Sequence, residues 1–163
     1  MILISNTSPI IALAKIEYLY LLNKLNFQKI LIPPIVKKEL WAKLGAESTI
    51  IEQALDNYIF TQTPQQLPQY IQNNISHLDA GEKQVIELAL SIEEEHVVLL
   101  DDKAGRKAAQ SFHLSILGTV GILLLAKKHQ HIQSVTELLV LLRQKQYWLS
   151  GGLIKHVKKI AKE

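Results

Sequence analysis

Five short apolar runs, each too short to be a helix, constrain this chain more than any other feature. They are Ile2–Ile4, Lys29–Ile32, Tyr58–Phe60, His96–Leu100 and Leu114–Leu117, and such runs read as strands. The first ends in Ser5-Asn6-Thr7-Ser8-Pro9, the second in Pro33-Pro34, the fourth in Asp101-Asp102 and the fifth in Gly118-Thr119. After each of these breaks, apolar residues recur at helical spacing. Strands alternating with helices imply an α/β fold around a mostly parallel sheet. Such sheets bind ligands outside the carboxyl ends of their strands, so the residues that end the strands are the first candidates for chemistry.

The helical segments follow from the same punctuation. Ser8 reads as an N-cap with Pro9 at the first helical position. Ala12, Leu13, Ile16, Leu19, Leu22 and Leu25 then continue one helical pattern. A helix starts near Ile35 and is broken by Gly45, and Ser48 caps the next, which runs to about Leu55. Residues 61–78 read as a loop with a short helix. Asp79-Ala-Gly-Glu82 opens a long helix to about Glu95. Helices then end at Phe112 and Lys128, and two more span about 133–145 and 150–161, the last a basic amphipathic helix after Gly151-Gly152. Its apolar stripe is Leu153, Ile154, Val157 and Ile160. Thr119 reads as the cap of the helix after the fifth strand.

Composition narrows the class. The chain has 163 residues, 48% of them apolar, and a mean hydropathy of +0.11. This describes a globule that buries a core rather than a disordered chain, and residues 1–163 read as one domain. No apolar run approaches the roughly 18 residues of a membrane span, and the N-terminus lacks the basic and small-residue signals of a secretory leader. With no cysteine, disulfides and thiolate metal sites are excluded, and the expected setting is the cytoplasm. Charge is uneven. Residues 1–95 carry 7 Lys against 11 Asp and Glu, whereas residues 96–163 carry 11 Lys and Arg against 4 acids. A basic half suits a polyanionic partner.

Asn6 and the Asp101-Asp102 pair follow strands directly. Glu39 lies beside the buried stripe of the helix after the second strand, and Glu82 sits in a helix's first turn. Carboxylates gathered at one sheet edge repel unless a hard cation neutralises them, and Mg²⁺ or Mn²⁺ prefers oxygen ligands. Such a site can activate water and clamp a phosphodiester. Each residue also has a plain structural role open to it. Asp79 and Glu82 match a capping box, Asp101-Asp102 an N-cap with a first-turn charge, Asn6 a turn cap, and Glu39 a solvated surface. Arg106 and Lys107, one turn beyond Asp102, are candidate phosphate contacts. The six histidines show no zinc spacing.

Five pieces in order, "ISNTSPIIALAKI", "LIPPIVKKEL", "LDAGEKQVIELAL", "VVLLDDKAGRKAA" and "LGTVGILLLAKK", resemble the PIN-domain family, which includes VapC-type toxins. The likeness is nearest to a subgroup opening with S-[DN]-T-S-P. It implies a three-layer α/β/α sandwich and a Mg²⁺- or Mn²⁺-dependent ribonuclease whose acids bind one or two ions and activate water. Carried onto this chain, the acidic positions fall on Asn6, Glu39, Glu82 and the Asp101-Asp102 pair, with Asp102 the better match. Thr7 or Ser8 is the supporting polar residue. The pattern departs at Asn6, where the family places Asp, and an amide oxygen ligates without adding charge. The resemblance implies an endoribonuclease acting on RNA, with a toxin role, an antitoxin partner and a homodimer as further expectations. The alternative is a PIN-like module that binds RNA or protein without cutting. A receiver-like phosphoacceptor fits less well, because Leu114–Leu117 is followed by Gly118 rather than Lys.

Overall fold

A computed structural model describes residues 1–43 and 45–163. Its five strands, β1 (Ile2–Ser5), β2 (Lys29–Ile32), β3 (Ile59–Thr61), β4 (His96–Leu99) and β5 (Ile116–Leu117), form one sheet in the order β3-β2-β1-β4-β5. All four pairings are parallel. In β1, Ile2, Leu3, Ile4 and Ser5 are all buried. Because successive side chains point to opposite faces, an unbroken buried run means that both faces of the sheet are covered. The helices provide that cover, so the expected α/β sandwich is the fold observed.

The helices are α1 (Thr7–Lys15), α2 (Leu21–Lys24), α3 (Pro34–Ala42), α4 (Ser48–Asn57), α5 (Gln69–Ile75), α6 (Ala80–Leu90), α7 (Lys103–Ser111), α8 (Thr119–Lys128), α9 (Val135–Gln144) and α10 (Gly151–Ala161). Among the described residues, no helix is long and apolar enough to cross a membrane.

The strand order fixes where a ligand can enter. From β1 the chain winds outward through β2 to β3, then returns to β1's other side and continues through β4 to β5. The direction reverses between β1 and β4, and the crevice at such a switch point is where open parallel sheets bind ligands. Ser5 is in register with Leu99, and the Asn6 N–H bonds the Leu99 carbonyl at 3.0 Å. Asn6 and Asp101-Asp102 therefore emerge from the two strands that flank the switch.

Several local expectations are corrected. The first helix does not run to Leu25. It ends at Lys15 with Ile16 as C-cap, and Glu17 then takes a left-handed φ of 64°. The Glu17 N–H bonds Ala14 O and the Tyr18 N–H bonds Leu13 O, the paired bonds of a Schellman cap. Apolar spacing continues past the break because Leu19 and Leu22 are buried from the new direction. The helix expected to reach Glu95 stops at Leu90. There the Ser91 hydroxyl bonds Glu87 O at 2.7 Å, and Glu93-Glu94-Glu95 would oppose the dipole at a helix carboxyl end.

Ser8 is not a cap: helix α1 begins at Thr7 with Asn6 in the N-cap position. Nor are Ser48 and Thr119 caps, because each is the first residue of its helix. In α10, which Ser150 caps, Val157 and Ala161 are the buried residues. Leu153 and Ile160, expected in the apolar stripe, are exposed.

Candidate metal centre

Asn6 has the position and the side-chain chemistry of an N-cap, yet its side chain makes no capping bond. Its Oδ1 is instead buried without a hydrogen-bond partner. Buried polar atoms are almost always paired, so an unpaired one calls for a reason. Among the described residues only Thr136 Oγ1, in the first turn of α9, shares this condition.

From Asn6 an arc of acids runs across the carboxyl edge. Thr7 Oγ1, buried at the start of α1, donates to Glu39 Oε2. Of the two supporting candidates, Thr7 is buried and bonds Glu39 rather than Asn6, and Ser8 is exposed. Helix α3 starts at Pro34, where a missing N–H costs nothing. Its Ile35 N–H, an orphan donor of the first turn, is accepted by Gln84 Oε1 of α6 at 2.8 Å. That tie brings Glu39 against the amino end of α6. A Cβ on Gly81 would lie 2.6 Å from Glu39 Oε1, so a larger residue there would make the Glu39 carboxylate shift.

Glu82 follows directly and is buried. Asp79 caps α6 by accepting the Glu82 N–H at 2.8 Å, the expected half of a capping box. The Glu82 carboxyl lies close to that of Asp102. Burial, reinforced by the charges of Asp79 and Asp102, pushes that carboxyl up to about 7. Asp102 also caps α7, taking the Gly105 N–H on Oδ2 at 2.8 Å.

Asp101 differs from its neighbour. Its Oδ1 accepts the Thr119 N–H at 2.8 Å and its Oδ2 accepts the Thr119 hydroxyl. Asp101 therefore caps the start of α8 from the adjacent strand, the task expected of Thr119 itself. Gly118 makes room, since a Cβ there would sit 3.0 Å from Asp101 Oδ1. Burial and then the Asp101 carboxylate push the Tyr147 phenol well above its ordinary value. Arg106 and Lys107 line one open depression together with Lys103. The Arg106 guanidinium also donates to Leu100 O at 2.8 Å, which fixes it beside the end of β4. Lys103 and Tyr147 were missed in the sequence, where nothing distinguishes them from ordinary surface residues.

A hard divalent cation suits this donor set. All the donors are oxygens, one of them buried and unpaired, and none of these carboxylates forms a salt bridge among the described residues, where the pair found is Lys127–Glu163. No three of His, Cys, Asp or Glu converge among the described residues closely enough to hold a metal. Mg²⁺ is commonly held by one or two carboxylates together with waters and substrate phosphates. Glu82, Asp102 and the Asn6 amide oxygen could hold such an ion, with Glu39 beside them and Asp101 committed to α8.

A family model described as a PIN domain matches residues 2–163. No match is found among curated proteins.

Proposed function

The chain belongs to the PIN-domain family, and on that premise we propose that it is a metal-dependent endoribonuclease. The family implies nuclease-type activity in general, usually with a divalent metal and with RNA or DNA as substrate. The observation that carries the finer reading is the buried, unpartnered Asn6 Oδ1 at the head of an arc of carboxylates.

When bound, a divalent cation supplies Lewis-acid polarisation of the phosphodiester and neutralises the crowded acids. Asn6 Oδ1 offers it a neutral donor, and Glu82 and Asp102 offer the charge. Thr7 orients Glu39 through its hydroxyl bond. Asp101 acts through structure, locking the start of α8 to the end of β4. Arg106, Lys103 and Lys107 attract the phosphate backbone to the same edge. Glu82 holds its proton up to about neutral pH in the cation-free protein, so cation loading displaces a proton from this carboxyl.

A VapC-type toxin, acting on cytoplasmic RNA and restrained by an antitoxin, is the more specific form of this reading. The second reading, a binding module with weak or no hydrolysis, rests on Asn6 itself, since the amide lacks the charge the family's Asp brings. RNA cleavage in Mg²⁺ or Mn²⁺ by the native chain, Asn6→Asp and Glu82→Gln separates the two. Cutting by the native chain that is lost in Glu82→Gln supports the enzyme. If all three are inert while RNA binding is salt-sensitive, the binding module is correct.

A further inference from the structure

Trp148 is 83% exposed, the most exposed of the large apolar side chains. A single apolar residue on a surface needs no explanation, but this one has a rigid mount and a charged neighbourhood. Before it, Gln146 turns through a φ of 65° and donates its N–H to Arg143 O, while the Tyr147 N–H bonds Leu142 O. Together these form a Schellman cap on α9. After it, Leu149 is buried and Ser150 caps α10. The backbone that carries the indole is therefore anchored on both sides, while the ring itself stands in solvent.

Tyr147, the residue before it, has two neighbourhoods. On one side it meets Asp101, Thr119 and Arg106 at the candidate site. On the other it lines a groove of about 310 Å³ between α1 and the end of α9, together with Ser8, Lys15, Lys43 and Lys145. All three lysines are exposed, no acidic residue lines the groove, and no salt bridge among the described residues involves them. Tyr147 lines this groove and also lies close to Asp101, which links the groove to the candidate site. A groove whose charged lining is three lysines, with an exposed indole one residue beyond Tyr147, suits an unpaired nucleic-acid strand. Cations follow the phosphates and a flat ring stacks on a base.

Resting on the nuclease reading above, we infer that Trp148 is a base-stacking platform that positions single-stranded RNA, with the Lys15–Lys43–Lys145 groove carrying the backbone into the site. The test is fluorescence in a Trp41→Phe background, where Trp148 is the sole tryptophan. Single-stranded oligouridylate and oligoadenylate are titrated in EDTA, so that binding is read without cleavage. The wild type minus Trp148→Phe difference spectrum serves as a second route should Trp41→Phe disturb the fold.

The expected result is saturable quenching, with Trp148→Ala weakening binding, read by anisotropy of a labelled oligonucleotide, by roughly 5-fold or more. Each Lys→Gln change at 15, 43 or 145 is expected to flatten the salt dependence by about 0.7 in log–log slope. In cleavage assays Trp148→Ala raises KM and leaves kcat in place, the signature of binding lost equally from ground and transition states. Absence of quenching overturns the inference. So does quenching that persists when all three lysines are replaced, or emission that responds to protein concentration alone, which would make Trp148 a contact between copies. Quenching without cleavage in any divalent metal would retain the platform and end the nuclease reading. Cleavage with an unchanged KM in Trp148→Ala and no quenching would do the reverse.

Discussion

Two carboxylate corners of this molecule are built on opposite principles. At the far end of the chain, Glu163 accepts from the Ser134 hydroxyl, from the Val135 N–H at 3.0 Å and from the Lys127 ammonium at 3.2 Å. Lys127 also bonds Ala161 O at 2.8 Å, so one ion pair ties the ends of α8 and α10 to the start of α9. At the carboxyl edge of the sheet, Glu82 faces two other carboxylates, and Asn6 Oδ1 has no partner. Although burial works against it, hydrogen bonds from Ser134 and Lys127 hold the Glu163 carboxyl below its ordinary value, whereas burial and its neighbours raise that of Glu82. A satisfied carboxylate adds stability, and an unsatisfied cluster costs stability until something else binds. Asp101 shows that the distinction is local, since it sits beside Asp102 yet belongs with Glu163 in kind.

The largest effect expected is at Glu82. Glu82→Gln should lower metal-dependent RNA hydrolysis by more than roughly 100-fold, because the loss of a direct ligand exceeds the effect of outer-shell changes. The same variant should melt no lower than the native chain in EDTA, since it removes a buried repulsion. A melting point that falls with the activity would place Glu82 in the satisfied class and break the comparison.

Asn6→Asp comes next. It should tighten Mn²⁺ or Mg²⁺ binding by about 10-fold, equivalent to ~1.4 kcal/mol, and raise hydrolysis. In EDTA it should lower the melting temperature, because a further charge joins the unneutralised cluster. Calorimetric titration and melts with and without metal read both halves.

Glu163→Ala should cost about 1 kcal/mol through lost caps and a partly exposed ion pair, or about 2–4 °C for a chain of this size. Hydrolysis should not change. A loss of activity would mean that the corner supports the site as well as the fold.

The last effect is in pH, and its sign separates the corners. In metal-free protein the folded Glu82 binds its proton up to about 7, against an ordinary 4.5. The native state thus holds more protons than the unfolded chain in that window, and stability falls as pH rises through it. For Glu163 the contribution is present above the ordinary carboxyl value and is lost as pH falls through its lower folded value. Melts across this range for the native chain, Glu82→Gln and Glu163→Ala should show each slope disappear with its own residue.

Much of this was legible in the chain itself. The second strand, Lys29–Ile32, lies where its apolar run and the Pro33-Pro34 stop place it. The five parallel strands follow from apolar runs separated by helical spacing. The acids at strand ends are visible for the same reason, because a buried strand can change to polar residues only where it leaves the core. Helix breaks were less visible. Among the described residues no glycine takes a positive φ, and Glu17, His113, Gln130, Gln146 and Lys162 take it at helix ends. Without glycine as a marker, the pattern around Glu17 reads as continuous helix.

What the sequence determined was a set of polar groups on the carboxyl side of a parallel sheet, with an amide at the first position. Its local pattern carries that much, because burial and periodicity act within a few residues. Tertiary structure alone decided which groups meet. It set β1 beside β4, brought Gly81 against Glu39, turned Asp101 toward Thr119 and Asp102 toward Glu82, and left Asn6 Oδ1 without a donor. Those outcomes depend on strand order and helix approach across long separations, and neighbouring carboxylates with equal claims in the sequence are distinguished only by which donors the fold brings to them.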